Sequence, residues 1–170
     1  MTDIVSRVYA KLDELGISYE TVAHPPVMTI EDCLENDKKL GAVTAKNFFL
    51  ATKNMKNFYL CLTRPNARFK SSDISKQLGS ARLHFGPEEY LEQFLKLKPG
   101  AVSPMGLIFD EGRNVRLVVD SALLQTEKLA FHPCINTETL AMRTEDFFGK
   151  FLPGIGSGAQ LVEIHDFLDE

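Results

Sequence analysis

The sequence predicts an α+β fold built on a curved, mostly antiparallel or mixed β-sheet flanked by helices. Three observations carry this. Strand-like apolar stretches outnumber helical ones, several come as pairs joined by short turns, and the intervening helices lack the regular spacing of βαβ units. With 170 residues, 44% hydrophobic and 25% charged, the chain is large enough to bury a sizeable core without disulfides or metals. Residues 1–170 are therefore expected to form one domain.

The elements follow in order. Ile4, Val5, Val8, Leu12 and Leu15 share one face of a helix over 2–15, which Gly16 closes. Residues 17–23 read as a short strand that ends at His24-Pro25-Pro26, where proline forbids both helix and central ladder pairing. Thr29 with Asp32 gives an N-cap signal for a short helix over 29–34, followed by a polar loop bearing lysines. The strongest β signal is a hairpin of 47–52 and 58–63 around a turn rich in Lys and Asn. Ser72-Asp73 starts a helix that runs through Leu78 and stops at Gly79. Residues 81–85 form a strand, and 87–97 an amphipathic helix with acids in its first turn and Tyr90, Leu91, Phe94, Leu95 and Leu97 buried. Residues 107–109 and 115–119 are expected to make a second hairpin around Glu111-Gly112-Arg113-Asn114. A helical stretch at 121–125, a strand at 128–131, a strand at 137–142, a helix from Thr144 to Phe151 and a last strand at 161–164 complete the chain.

No apolar run approaches the roughly 18 to 20 residues of a membrane span, and the first residues read as an acidic helix rather than a signal peptide. A cytoplasmic protein without a membrane partner is expected. Cys33, Cys61 and Cys134 are widely spaced with no CxxC pair, which points away from a disulfide framework or a zinc site. The net charge of −4 hides an asymmetry: between Lys38 and Arg82 ten basic residues face one acid, Asp73, a local +9 that leaves −13 on the remainder. Either one face meets a polyanion or a hairpin carries a solvated lysine-rich rim.

The familiar catalytic signatures are missing. There is no GxSxG elbow, P-loop or GxGxxG, and His24, His84, His132 and His165 lie far apart without an HxH or HExxH arrangement. His132 and Cys134 invite a thiol-hydrolase reading, and on an extended chain they point to the same side, but no orienting third group accompanies them. Two features remain. The stretch Lys98-Pro99-Gly100-Ala101-Val102-Ser103-Pro104-Met105-Gly106 is either a helix-to-strand connector or a backbone loop able to offer its N–H groups to a ligand. Lys46, at the head of an apolar strand, is either a solvated gatekeeper or an anion contact.

Taken together, HPPVMT, AKNFFL, KPGAVSPMGL, VRLVVD and FHPCINTETLAM, in that order, resemble the YbaK/ProX family of aminoacyl-tRNA editing domains, and within it the freestanding branch that deacylates Ala-tRNA(Pro). The resemblance spans about residues 4–165. It implies that Lys46 is the lysine required for activity, that Gly100, Ala101, Val102, Ser103 and Pro104 form the GxxxP substrate loop, and that His132 is the pocket histidine of the alanine-specific branch. Met28, Asn47 and Asn136 fall in motifs that line or support the pocket. Met28 and Met105 stand where relatives often carry an aromatic, which makes the pocket wall more deformable.

The resemblance further implies a hydrolase that needs no metal or cofactor, takes mischarged tRNA(Pro) by its acceptor end and can accompany prolyl-tRNA synthetase, with no role for DNA. A scissile ester is already reactive, so positioning and oxyanion stabilisation suffice and no side-chain nucleophile is demanded. The alternatives are a deacylase of another small aminoacyl-tRNA such as Cys- or Ser-tRNA, a non-catalytic tRNA- or synthetase-binding module, and a thiol hydrolase using Cys134.

Overall fold

The computed structural model describes residues 2–26, 30–65, 67–68 and 70–164, with side chains for all of these except 2, 3 and 30–34. In chain order the elements are α1 (Thr2–Glu14), β1 (Tyr19–Ala23), α2 (Ile30–Leu40), β2 (Val43–Thr44), β3 (Lys46–Thr52), β4 (Phe58–Thr63), α3 (Ser71–Leu78), β5 (Leu83–Phe85) and α4 (Glu88–Leu95). A 3-10 segment (Pro104–Phe109), β6 (Val115–Asp120), a second 3-10 segment (Ser121–Gln125), β7 (Lys128–Phe131) and β8 (Glu138–Arg143) follow. The chain then turns through Thr144–Asp146, a π-helical Phe147–Phe151 and Leu152–Gly154 into β9 (Ala159–Val162).

The strands make two sheets, in the orders β1-β8-β7-β2 and β5-β3-β4-β6-β9. Both are mixed. β2 lies parallel to β7, and β6 lies parallel to both β4 and β9, whereas β1–β8, β7–β8, β3–β4 and β3–β5 are antiparallel.

Side-chain alternation assigns each strand to two layers. Phe49 and Ala51 of β3, Phe58, Leu60 and Leu62 of β4, and Val115, Leu117 and Val119 of β6 face a main core. Leu129 and Phe131 of β7 and Leu140 and Met142 of β8 meet that core from the other sheet. The intervening residues face outward: Leu50, Tyr59, Cys61 and Val118 pack with Ile74 of α3, while Ala130 and Ala141 pack with Leu40 at the end of α2. The two sheets thus sandwich one large core, and α2 and α3 close the outer faces.

The α+β class and the β3–β4 hairpin match the sequence reading, and four local expectations are corrected. Residues 107–109 belong to the 3-10 segment, not to a strand, so β6 has no hairpin partner there and pairs with β4 and β9 instead. The helix expected to end near residue 34 continues through Lys38 and Lys39 to Leu40, and Gly41 (φ +64) stops it. The two-residue strand β2 carried no sequence signal; Asp37 fixes it by accepting from both the N–H and the hydroxyl of Thr44. The helix read from Ser72-Asp73 begins at Ser71, with Lys70 in the N-cap position and no side-chain cap.

Candidate active site

The proline-glycine stretch is a rigid ledge. After α4, Lys98-Pro99-Gly100-Ala101 closes a β-turn through Ala101 N–H to Lys98 O (3.1 Å). Proline in its second position and glycine at φ +91 in its third are the pattern of a type II turn, in which only glycine is at ease. Ser103 is fully buried and caps the following 3-10 segment, its Oγ accepting from Met105 N–H at 3.1 Å. Pro104 opens that segment with its φ already set. Gly106 seats it: a Cβ there would stand 2.8 Å from both Leu95 O and Leu97 Cδ1. Among the described residues no acceptor takes the N–H groups of Gly100, Val102 or Ser103.

The turn between β7 and β8 comes up to this ledge. A Cβ built on Gly100 would lie 3.6 Å from the Asn136 amide nitrogen. His132 opens the same turn, largely buried, with Nδ1 3.0 Å from Glu138 O. A carbonyl only accepts, so Nδ1 carries the proton and, in the neutral ring, Nε2 keeps a lone pair. Burial holds the His132 pKa below its ordinary value, aided by nearby His24, against the opposing pull of the Glu138 carbonyl. The His24 and His132 rings stand 6.1 Å apart. His24 is fixed by Pro25 O on Nδ1 (2.8 Å) and by the Thr139 hydroxyl on Nε2 (2.7 Å). Glu138 is fixed in turn by the Tyr9 hydroxyl, which donates to Oε1 at 2.5 Å. That carboxylate and burial together raise the Tyr9 pKa, burial being the larger cause.

Lys46 and Asn47, consecutive at the start of β3, face opposite ways. Asn47 shares the face of Phe49 and Ala51, on the side where Met105 and Leu107 of the 3-10 segment pack. Its amide donates to Ala45 O (3.1 Å), and its Oδ1 is buried with no partner among the described residues. Lys46 shares the opposite face with Phe48 and Leu50, where it lines a cleft of about 610 Å³ together with Arg68, Arg82, His84 and Phe85.

The structure therefore brings Gly100, Ala101, Val102, Ser103 and Pro104 to one ledge with Asn136 beside Gly100 and His132 in the adjoining turn. It sets Asn47 on the core side of β3 and Lys46 across the sheet from it. Met28 lies outside the described residues. The thiol reading meets two obstacles. Cys134 sits at φ +67 in a turn, not on an extended chain beside His132. Burial also pushes its thiol up to about 12, so the thiolate is scarce at neutral pH.

Sequence reasoning gave no role to Tyr9, Thr139 or Glu138, whose partners lie 115 or more residues away. Nor did it single out the Arg82-Leu83-His84-Phe85 edge, although its place at the end of the basic segment was a usable signal. Among the described residues no group of three His, Cys, Asp or Glu side chains is placed to hold a metal ion. Nor is any helix there long and apolar enough to cross a membrane.

The ledge, with Asn136 beside Gly100 and His132 in the adjoining turn, forms a candidate site without a catalytic triad among the residues named above. The comparisons with known proteins show the family of the chain. The family model of the aminoacyl-tRNA editing domain matches residues 24–149, and the chain belongs to this family. The prolyl-tRNA editing protein ProX of Acetoanaerobium sticklandii is 33% identical over 162 residues, covering 95% of this chain and 98% of that protein. The prolyl-tRNA synthetase associated domain-containing protein 1 of Mus musculus is 35% identical over 150 residues, covering 86% and 88%. In fold, a solved structure described as a candidate trans-editing enzyme for prolyl tRNA synthetase superposes with a TM-score of 0.71 at 17% identity, covering 96% of this chain and 97% of that one.

Proposed function

We propose that this chain is a trans-editing deacylase that cleaves the ester between alanine and the 3′ end of tRNA(Pro). The observation that carries the reading is the ledge itself: a type II turn at Gly100 and a buried cap at Ser103 hold the N–H groups of Gly100 and Val102 without acceptors among the described residues. Donors fixed in this way meet a developing oxyanion without reorganising, which is where an ester hydrolase gains most. The Ser103 oxygen is already engaged in its cap, so the chemistry falls to the backbone.

In this reading the aminoacyl carbonyl docks on the N–H groups of Gly100 and Val102, and Lys46 anchors the terminal phosphate. A water attacks, assisted by the neighbouring ribose hydroxyl. The tetrahedral intermediate collapses with release of the ribose oxygen, which takes a proton, leaving free alanine and uncharged tRNA. His132 supplies part of the wall that excludes the larger pyrrolidine ring, with Met28 as its partner in that role. Neutral and held by Glu138, His132 presents a compact, uncharged surface. The selection is then a second sieve that hydrolyses what is small enough to enter. The prolyl-tRNA editing relatives support the tRNA(Pro) identity, and prolyl-tRNA synthetase is the source of the mischarged substrate.

The test is a deacylation panel of Ala-, Ser-, Cys- and Pro-tRNA with Lys46→Ala as control. Preferential cleavage of Ala-tRNA(Pro) that collapses in the variant is expected. Preference for Cys- or Ser-tRNA would reassign the substrate, and binding without cleavage of any ester would make the chain a non-catalytic tRNA module.

A further inference from the structure

We propose that the cleft on the Lys46 face of β3 is the track for the unpaired 3′ strand of the tRNA, with Phe85 as the platform on which one of its bases stacks. The proposal rests on the tRNA reading above and adds the route and the residues. Phe85 is 73% exposed, the most exposed large apolar side chain among the described residues, and neither the core nor α3 uses it. It ends β5, an edge strand that pairs with β3 alone. Its ring lies 6.3 Å from that of Phe48 at an interplanar angle of 40°, so it is braced from the sheet side while remaining open to solvent.

The surroundings are basic. Lys46, Arg68 and Arg82 line the 610 Å³ cleft, together with His84, Ser71 and apolar residues, and among the described residues no carboxylate lines it. Among the described residues Lys46, Arg82 and His84 have no hydrogen-bonded or ion-paired side-chain partner. A second cleft of about 460 Å³ shares Arg82 and His84 and continues past Lys53 and Asn54. Four of the ten basic residues of the +9 segment, Lys46, Lys53, Arg68 and Arg82, thus line two adjoining clefts.

An aromatic platform within a cationic groove is what a single strand requires, because bases stack through their π-faces while phosphates follow the charges. Duplex RNA and acidic peptide would each use the cations and leave Phe85 without a purpose. From Leu50, the β3 partner of Phe85, to Lys46 the strand advances four residues, about 13 Å. There Lys46 stands back to back with Asn47, so a strand laid along the cleft ends at the residue that adjoins the core-side face of β3.

The experiment uses the full chain and an uncharged single-stranded RNA ending in CCA, with binding measured by fluorescence anisotropy at several salt concentrations. Phe85→Ala is expected to weaken binding about 5- to 100-fold, and Phe85→Trp to restore it. Arg82→Ala should lower the magnitude of the salt slope by about 0.7. Wild-type affinity in Phe85→Ala overturns the stacking role, as does failure of Phe85→Trp to restore what Phe85→Ala loses. Competition by polyglutamate as effective as that by RNA of equal charge also overturns it and makes the cleft a general polyanion surface. Because the RNA carries no ester, these outcomes do not depend on deacylation: a chain that cleaves Ala-tRNA(Pro) with Phe85 dispensable refutes only this proposal, and one that stacks RNA without cleaving refutes only the deacylase reading.

Discussion

The two faces of β3 make a pair for comparison. On one, Asn47 leads into Phe49 and Ala51 and the apolar core beneath the Gly100 ledge; on the other, Lys46 leads into Phe48 and Leu50 and opens on the cationic cleft. A single residue of offset separates them, because strand side chains alternate. The difference teaches that one short motif, Lys46-Asn47, serves two surfaces; in the function proposed above these would take a charged backbone on the open side and a small acyl group on the enclosed side. The enclosed side depends on shape and on dipoles fixed by turns, and the open side depends on charge that salt can screen.

Five measurements break or sharpen this comparison, from the largest expected effect on rate to the smallest effect on stability. Lys46→Ala should lower kcat/KM for aminoacyl-tRNA by about 100-fold or more, since losing an anchor misplaces the reacting ester. The side chain is only half-buried, so the melting temperature should hardly move, and full activity would detach the open face from catalysis. Gly100→Val should cost about 10- to 100-fold in the same assay by forcing a β-branched residue to φ +91 beside Asn136. Ser103→Ala should be milder in rate, within about 5-fold, while costing about 1 kcal/mol of stability through the lost cap. The opposite order would return the chemistry to the serine hydroxyl.

His132→Ala should narrow discrimination against Pro-tRNA(Pro) by about 10-fold, the scale of a few methylenes in a pocket. Unchanged discrimination would remove His132 from the wall. The smallest effect is on stability against pH. The folded-state pKa of His132 is depressed, so the unfolded chain takes up the proton first as pH falls. The contribution is complete above the ordinary histidine pKa of about 6.5 and is lost as pH falls through the lower folded value. Thermal melts of wild type and His132→Asn from pH 8 to 5 should show a steeper acid decline in the wild type.

The α+β class and the β3–β4 hairpin were legible because two apolar runs flank a turn rich in Lys and Asn, whereas the division of the strands into two sheets was not. What was not legible has specific causes. Leu107-Ile108-Phe109 is too short an apolar run to separate strand from helix, and Ser103-Pro104, a cap followed by an N1 proline, was the better signal. Parallel placement of β6 between β4 and β9 is set by residues far apart in sequence, as is the two-residue β2. At the candidate site, Lys46, Asn47, the residue 100–104 ledge, His132 and Asn136 were singled out through a family pattern, whereas spacing alone left the ledge and Lys46 open. Tyr9, Glu138 and Thr139 were silent because each acts by a long-range hydrogen bond. Arg82, His84 and Phe85 belong to an edge whose meaning depends on β5 pairing with β3.

The bond from Tyr9 to Glu138 bridges 129 positions, and that from Thr139 to His24 bridges 115. Closing loops of that length is slow, and rates of folding fall as contacts become more distant along the chain. During synthesis, the ribosome releases the lysine and the glycine ledge well before the segment that carries His132 and its support. The candidate site should therefore be completed late in the maturation of this protein. The last piece to lock is the His132 turn, so a nascent chain would hold the Gly100 ledge before it holds the wall proposed beside it.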